Sequence, residues 1–487
     1  MAQNPANLPS YEHPDYVQMK PALQLLLDSY EGLFGRKAEY LPKAQKEPEK
    51  AYERRVERSV FNNKLRPIVD SNAGLLTAFD VSGMPPSLEQ AEDNVDMQGT
   101  GFKSFVYNAN ILGLRDRSCF ILTMQEPGEE GRTLADDLQN PRRPYWKLID
   151  RRNVLNWRVR YQGGQPILEQ VTVLLYEDVD DGLYGYKAEP RYHRLKKVAD
   201  GVEVAIFTIN EKGEVDQAEP PRTVPIERIP LRSYPDATDP FSTAMPSFLK
   251  AAELNIKLFR QESSLDNIQY RVNAPTFWRR SSMEMKDRPP FIAGENYVIE
   301  LMSGDGTAES DDVGVLEING AGIAAMQQSI AETKSDIDAE QMGFVSGAAV
   351  ERTATEAYLS GAQVAASLNG KARQMSAALK GIVEDWCLFT SENPSQFAVE
   401  MDHSVLEQPL DAAEMSTLLG LWQAGAIDHR TLLELLRMGR QLPPSADIDE
   451  ILQRVEDEAA RQMAALAMQN GILEPAQTIE VSADAAN

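Results

Sequence analysis

Met245-Pro246-Ser247-Phe248-Leu249-Lys250-Ala251-Ala252-Glu253-Leu254-Asn255-Ile256-Lys257-Leu258-Phe259-Arg260 begins the stretch that decides the fold. Met245, Phe248, Ala252, Ile256 and Phe259 recur at helical spacing on one stripe, with Lys257, Arg260 and Glu262 off it. After Pro275 the period changes to that of strands: Thr276-Phe277-Trp278, Tyr297-Val298-Ile299-Glu300-Leu301, and Val313 to Ile318. Gly304-Asp305-Gly306 is a turn signal between the last two. Helical spacing returns from Gly322 with Ile323, Met326, Ile330 and Ile337. The loop Gly343-Phe344-Val345-Ser346-Gly347 breaks it, and a third helix runs to about Thr390. The order is therefore long helix, small β-insert, long helix, Gly/Ser loop, long helix. Two helices of about 25 residues reach roughly 35–40 Å each at 1.5 Å per residue. A small β-module at their far end suits a stalk.

Gln328, Glu332, Asp336 and Glu340 recur every four residues on another side of the second helix. Two readings are open: the solvated face of an amphipathic helix, or an acidic lining formed when several copies pack side by side. The apolar stripes on both helices are narrow, and neighbouring copies are expected to bury them.

The remaining segments predict a mixed α+β chain, mainly helical. Residues 14 to about 80 read as helices, with a polar linker after Tyr40-Leu41-Pro42 and a helix through Tyr52, Val56, Val60 and Leu65. A helix near 99–115 precedes the strand Ser118 to Met124. From Tyr145 to Leu231 the pattern is β, with strands around Asn153 to Val159, Ile167 to Tyr176, Tyr192 to Leu195 and Val202 to Ile209. Phe397 to Met401 is a single returning strand, and the C-terminal region is helical, with Asp411, Asp428 and Asp447 as N-caps.

At 487 residues, two to four structural units are expected. Mean hydropathy of −0.39 and the lack of any apolar run of 18 residues predict a soluble chain, and the start at Met1 does not read as a signal peptide. Cys119 and Cys387 lie in apolar surroundings and read as core residues, which suits a reducing cytoplasm. The net charge of −25 argues against a protein that grips phosphates along a basic face. It is compatible with a surface along which DNA moves without sticking.

Chemistry leaves little trace. The four histidines, His13, His193, His403 and His429, have no metal-ligand spacing, and there is no Cys-x-x-Cys, P-loop or Gly-x-Ser-x-Gly elbow. Gly99-Thr100-Gly101 reads as a turn. Asp178-Val179-Asp180-Asp181-Gly182 puts its glycine at position five rather than six of a calcium loop, so it reads as an acidic hairpin turn. No cofactor, metal or catalytic residue is expected.

Several short segments resemble those of tailed-bacteriophage portal proteins, and of one phage portal family formerly catalogued as a domain of unknown function. They are His13-Pro14-Asp15-Tyr16, Tyr40-Leu41-Pro42, Tyr52-Glu53-Arg54-Arg55-Val56-Glu57-Arg58-Ser59-Val60-Phe61-Asn62-Asn63 and Arg352-Thr353-Ala354-Thr355-Glu356-Ala357. The helix-turn-helix Leu419 to Ile427 is of a kind common near portal C-termini, and the element order is similar over most of the chain.

The resemblance implies a division into parts. Residues 1–240 would form the wing, 241–273 the first stem helix, 274–318 the clip and 319–342 the second stem helix. Residues 343–353 would be the tunnel loop, 354–408 a long helix and strand returning to the wing, and 409–487 the crown and tail. It also implies a head-to-tail connector at the unique capsid vertex, a ring of about twelve copies assembled in the host cytoplasm and carried in the virion. Double-stranded DNA would pass through it during packaging and ejection. The expected partners are the terminase large subunit, a tail adaptor or head completion protein, and the major capsid and scaffolding proteins, with no membrane. Gln328, Glu332, Asp336 and Glu340 would line the channel. Val345, Ser346, Gly347, Val350 and Arg352 would form the tunnel loop. Trp278, Arg279, Phe291, Tyr297 and Asp305 would offer the clip contact. The alternative is an acidic self-assembling structural protein, or a soluble enzyme without a recognisable catalytic motif.

Overall fold

The computed structural model describes residues 5–125, 142–210, 212–236, 239–273, 276–281, 298–302, 312–316, 321–341, 354–401, 412–438, 441–442 and 446–469. It is α+β, with 47% helix and 26% strand, so helix predominates as the periodicities imply. The chain divides into two compact units, 1–401 and 402–487.

The first unit opens with helices α1 (Pro14–Glu31), α2 (Lys37–Tyr40), α3 (Glu49–Arg58) and α4 (Leu65–Leu76), strand β1 (Phe79–Ser82), and helices α5 (Pro86–Glu89) and α6 (Phe102–Arg115). His13 caps α1 by accepting from the Asp15 amide, and Pro14 at the first helical position costs no hydrogen bond. Gly32, at φ +84°, ends α1 in the left-handed conformation that glycine adopts without strain. Strands β2 (Cys119–Gln125) and β3 (Pro144–Ile149) pair antiparallel, and β9 (Leu231–Tyr234) joins the other side of β2.

Between β3 and β9 runs a five-stranded meander: β4 (Val154–Gln162), β5 (Gln165–Asp180), β6 (Tyr186–Val198), β7 (Gly201–Ile209) and β8 (Val215–Val224). Phe120, Leu122 and Ile149 of the three-stranded sheet share a core with Val171, Val173, Leu195 and Val202 of this meander. Cys119 is buried, with its thiol donating to the Ala109 carbonyl at 3.4 Å; Cys387 is also buried and free. Burial raises both thiols above the usual range, so they are core residues and not nucleophiles.

Helix α7 (Leu249–Asn273) precedes a three-stranded sheet of β10 (Thr276–Ser281), β11 (Val298–Met302) and β12 (Asp312–Leu316), in which β10 is central, parallel to β11 and antiparallel to β12. Helices α8 (Ala321–Gln341) and α9 (Ala354–Thr390) follow, then β13 (Ala398–Met401). Helix α7 starts at Leu249, after Pro246, so Met245 lies outside it and is half exposed. Strand β13 returns to pair antiparallel with β1, whose segment the sequence reads as helical. Trp386, on α9, is fully buried beside Trp146 of β3. Asp385, equally buried, accepts from the guanidinium groups of Arg228 and Arg232 and ties α9 to β9 and the segment before it.

The second unit contains α10 (Ala412–Gln423), α11 (His429–Met438) and α12 (Ile448–Gln469). Gly425 at φ +69° ends the first of these turns. Asp428 accepts from the Thr431 amide at 3.0 Å, and Asp447 accepts from Asp449 at 2.9 Å, so both act as N-caps as their positions predict. The proposed cap Asp411 falls outside the described residues.

Candidate functional site

Helices α7 and α8 form an antiparallel hairpin whose register is visible in its polar contacts. Gln261 donates to Ser329 at 3.0 Å, and Lys250 pairs with Glu340. Eleven residues forward on one helix match eleven residues back on the other. Lys334 adds an ion pair to Glu262 at 2.9 Å. The apolar seam is Leu258, Ile330 and Ile337, flanked by Leu254, Leu265 and Met326. The small sheet β10–β12 lies in sequence between the far ends of these helices.

The structure corrects one expectation about the hairpin. Phe248, Ala252, Ile256, Phe259, Ile330 and Ile337 are all buried within a single chain. Ile256 and Phe259 pack with Leu33 and Leu41, and Phe61 meets Phe259 edge-on at 5.5 Å. Asn255 accepts from the Lys64 and Leu65 amides at the start of α4 and donates to the Asn62 carbonyl. The N-terminal helices therefore cover the face of α7 that α8 leaves open, and no second copy is needed to bury these stripes. A narrow row of α7, Glu253, Lys257, Arg260 and Ser264, faces solvent, with Lys250, Asp266 and Tyr270 exposed toward its two ends.

Helix α8 is different. Of its residues, Ile330, Thr333 and Ile337 are buried, and most of the others are exposed. Gln328, Glu332 and Asp336 are exposed, and Glu340 is half-buried beside Lys250. Gln328 donates to Glu332 at 3.1 Å. Each four-residue step rotates about 40° around a helix, so the row winds from the outward face at Gln328 to the α7 seam at Glu340. Helix α8 carries four carboxylates against one lysine, while α7 carries four cations against three carboxylates. The acidic character of the hairpin belongs to α8.

Of the five clip residues, Trp278 and Arg279 lie on β10, both half-buried. The Trp278 indole covers Gly314 of β12 so closely that a Cβ there would sit 2.5 Å from the ring. Phe291, Tyr297 and Asp305 fall outside the described residues, as do Val345, Ser346, Gly347, Val350 and Arg352 of the tunnel loop. Among the described residues no group of three His, Cys, Asp or Glu side chains is placed to hold a metal ion. No helix there is long and apolar enough to cross a membrane.

Sequence reading missed the buried ionisable groups. Arg115 bridges Asp116 at 2.6 Å and Asp150 at 2.7 Å, with Arg152 also on Asp150. These arginines have intrachain carboxylate partners, so they read as structural. His193 on β6 is 3% exposed and lines a cavity of about 430 Å³ with Leu122, Thr123, Val204 and Arg222. Burial, reinforced by the cations Lys147, Arg222 and Arg191, pushes its pKa down to about 4. The Glu177 carboxylate 3.6 Å away opposes this, but it is partly exposed and is outweighed.

The His193 imidazole is thus neutral in the folded protein near pH 7, because a proton there would leave a charge buried away from water. Because its folded pKa lies below the unfolded value of about 6.5, the stability it contributes is full above pH ~6.5 and is lost as pH falls toward 4. The loss is on the order of 3 kcal/mol. Urea melts at pH 7 and pH 4.5 should show a drop that His193→Phe reduces by about half or more; an unchanged drop in the variant would assign the acid sensitivity to other groups.

No curated protein matches this chain. Comparison with protein families finds, over residues 247–387, a domain described as a domain of unknown function (DUF4055), and these residues span the helix hairpin, the small sheet and most of α9.

Proposed function

We propose that this chain is the subunit of a phage portal, a ring of about twelve copies that conducts double-stranded DNA and has no catalysis of its own. The carrying observation is the asymmetry of the helix hairpin. Helix α7 is occupied on both sides by its own chain, whereas α8 uses one stripe for α7 and leaves the rest of its surface open and acidic. In a ring the open surface of α8 would face the axis and the neighbouring copies. Carboxylates along that path would repel the phosphate backbone and keep the duplex from adhering. The small sheet at the end of the hairpin would serve as the clip, docking the terminase large subunit during packaging and a tail adaptor afterwards. The ring would sit at the portal vertex of the virion, against the major capsid and scaffolding proteins. The element order, the short portal-like segments and the family match over this same region all support the reading.

Electron microscopy of the purified full-length protein tests it. Rings with an axial hole are expected. Compact monomers at every concentration would overturn the proposal.

A further inference from the structure

Strands β5 and β6 outrun the sheet they belong to. Strand β4 pairs β5 only as far as Val173, and β7 pairs β6 only as far as Tyr192. Beyond those points Leu174 to Asp180 pairs solely with Tyr186 to Tyr192. Its base, Leu174, Leu175 and Tyr192, packs on the core, and from Tyr176 the two-stranded arm projects roughly 15 Å at 3.3 Å per residue. A hairpin of two strands is marginal in water by itself. Yet this one exposes Tyr176 (57%), Leu183 (86%), Tyr184 (96%) and Tyr186 (75%). Glu177, Asp178, Asp180, Asp181 and Glu189 outnumber Lys187 and Arg191 on it, leaving a net charge of −3.

The opposite end of the same sheet carries the reverse charge. Arg158, Gln170 and Lys196 are in register across β4, β5 and β6 and so share one face. With Arg160 and Lys197 they line a cavity of about 360 Å³. Glu169, 3.7 Å from Arg160, is its only carboxylate among the described residues, so the net charge is +3. None of the four cations is directly opposite another, and an anionic partner lying against them would relieve what repulsion remains. Gln170 and the arm tip at Asp181 are eleven residues apart along one strand, about 35 Å. The arm therefore does not reach the cradle of its own chain.

We propose that the arm docks in the cradle of a second copy of this chain, setting Asp178, Asp180 and Asp181 against Arg158, Arg160, Lys196 and Lys197. The contact is head-to-tail: each copy that inserts an arm still offers an empty cradle. Such a heterologous contact propagates from copy to copy, and closes into a ring where its rotation divides a full turn. The proposal rests on the self-assembly proposed above, but not on passage of DNA.

Charge reversal in the full chain tests it by native mass spectrometry and sedimentation velocity. The arm variant combines Asp178→Lys with Asp180→Lys; the cradle variant combines Arg160→Glu with Lys196→Glu. Both pairs of positions carry exposed side chains, and circular dichroism checks that each variant is folded. Each variant alone should weaken association about ten-fold or more. A chain carrying all four changes regains complementarity and should assemble within a few-fold of wild type. An equimolar mixture of the two variants should also pair, because the natural cradle of the arm variant receives the natural arm of the cradle variant. If wild type assembles and both variants assemble equally well, the arm contact is wrong while the ring stands. Failure of both the four-fold variant and the mixture would also overturn it. A wild type that never assembles sinks the ring and the arm together.

Discussion

Replacing Phe259 or Ile337 by aspartate is expected to unfold the protomer itself, and not only to loosen an assembly. Both side chains are about 1% exposed, one among Leu33, Leu41 and Ile256, the other in the seam between α7 and α8. Losing such a side chain forfeits about 1.5–3 kcal/mol of transfer free energy. Burying a carboxylate without a partner adds several kcal/mol more. The sum, about 4–6 kcal/mol, rivals the whole stability of an ordinary domain. Expression should yield aggregated or protease-sensitive protein, with Glu253→Lys on the solvent-facing row as a control that changes little. Folded, protease-resistant monomers from either aspartate variant would mean that these stripes are assembly surfaces after all.

The combination of Glu332→Lys and Asp336→Lys should leave the fold intact, because both positions are exposed on α8. Its effect falls on the proposed channel. The change swings the charge by four units per chain, about 48 in a twelve-fold ring. Each lysine can then pair with a passing phosphate, and such pairing weakens steeply as salt rises. Rings of the variant should retain DNA at low ionic strength and translocate it severalfold more slowly in a packaging assay, with partial recovery at higher salt. Wild-type rates at every salt concentration would remove the acidic row from the channel wall.

Much of the architecture was legible because its signals are local. The switch from helical to strand spacing after Pro275, and back at Gly322, marks the hairpin and its insert. The N-caps Asp428 and Asp447 act over three residues or fewer. Strand β1 has no comparable signal: four residues long, it exists because Ala398–Met401, 319 positions later, pairs with it. Strand β8 contains Pro220-Pro221, at the register shift opposite Val204 to Ile206. It is tolerated because β8 is the outer edge of its sheet, where missing amides disrupt no second ladder. The cover over α7 was invisible for a related reason. A stripe such as Ile256 and Phe259 announces that it needs burial, but not that residues 33, 41 and 61 provide it. For the candidate site, the spacing of Gln328, Glu332, Asp336 and Glu340 predicts a row, whereas its turn from solvent into the α7 seam emerges only from the packing.

The antiparallel register of α7 and α8 also couples their lengths across generations of change. Inserting one residue near the middle of either helix rotates everything beyond it by about 100° and slides it by 1.5 Å. The Leu258–Ile330–Ile337 seam would then meet the wrong faces. A longer or shorter hairpin is reachable only by matched gains or losses in both helices, preferably in whole turns. In relatives of this chain the distances from Lys250 to the end of α7 and from the start of α8 to Glu340 should therefore rise and fall together.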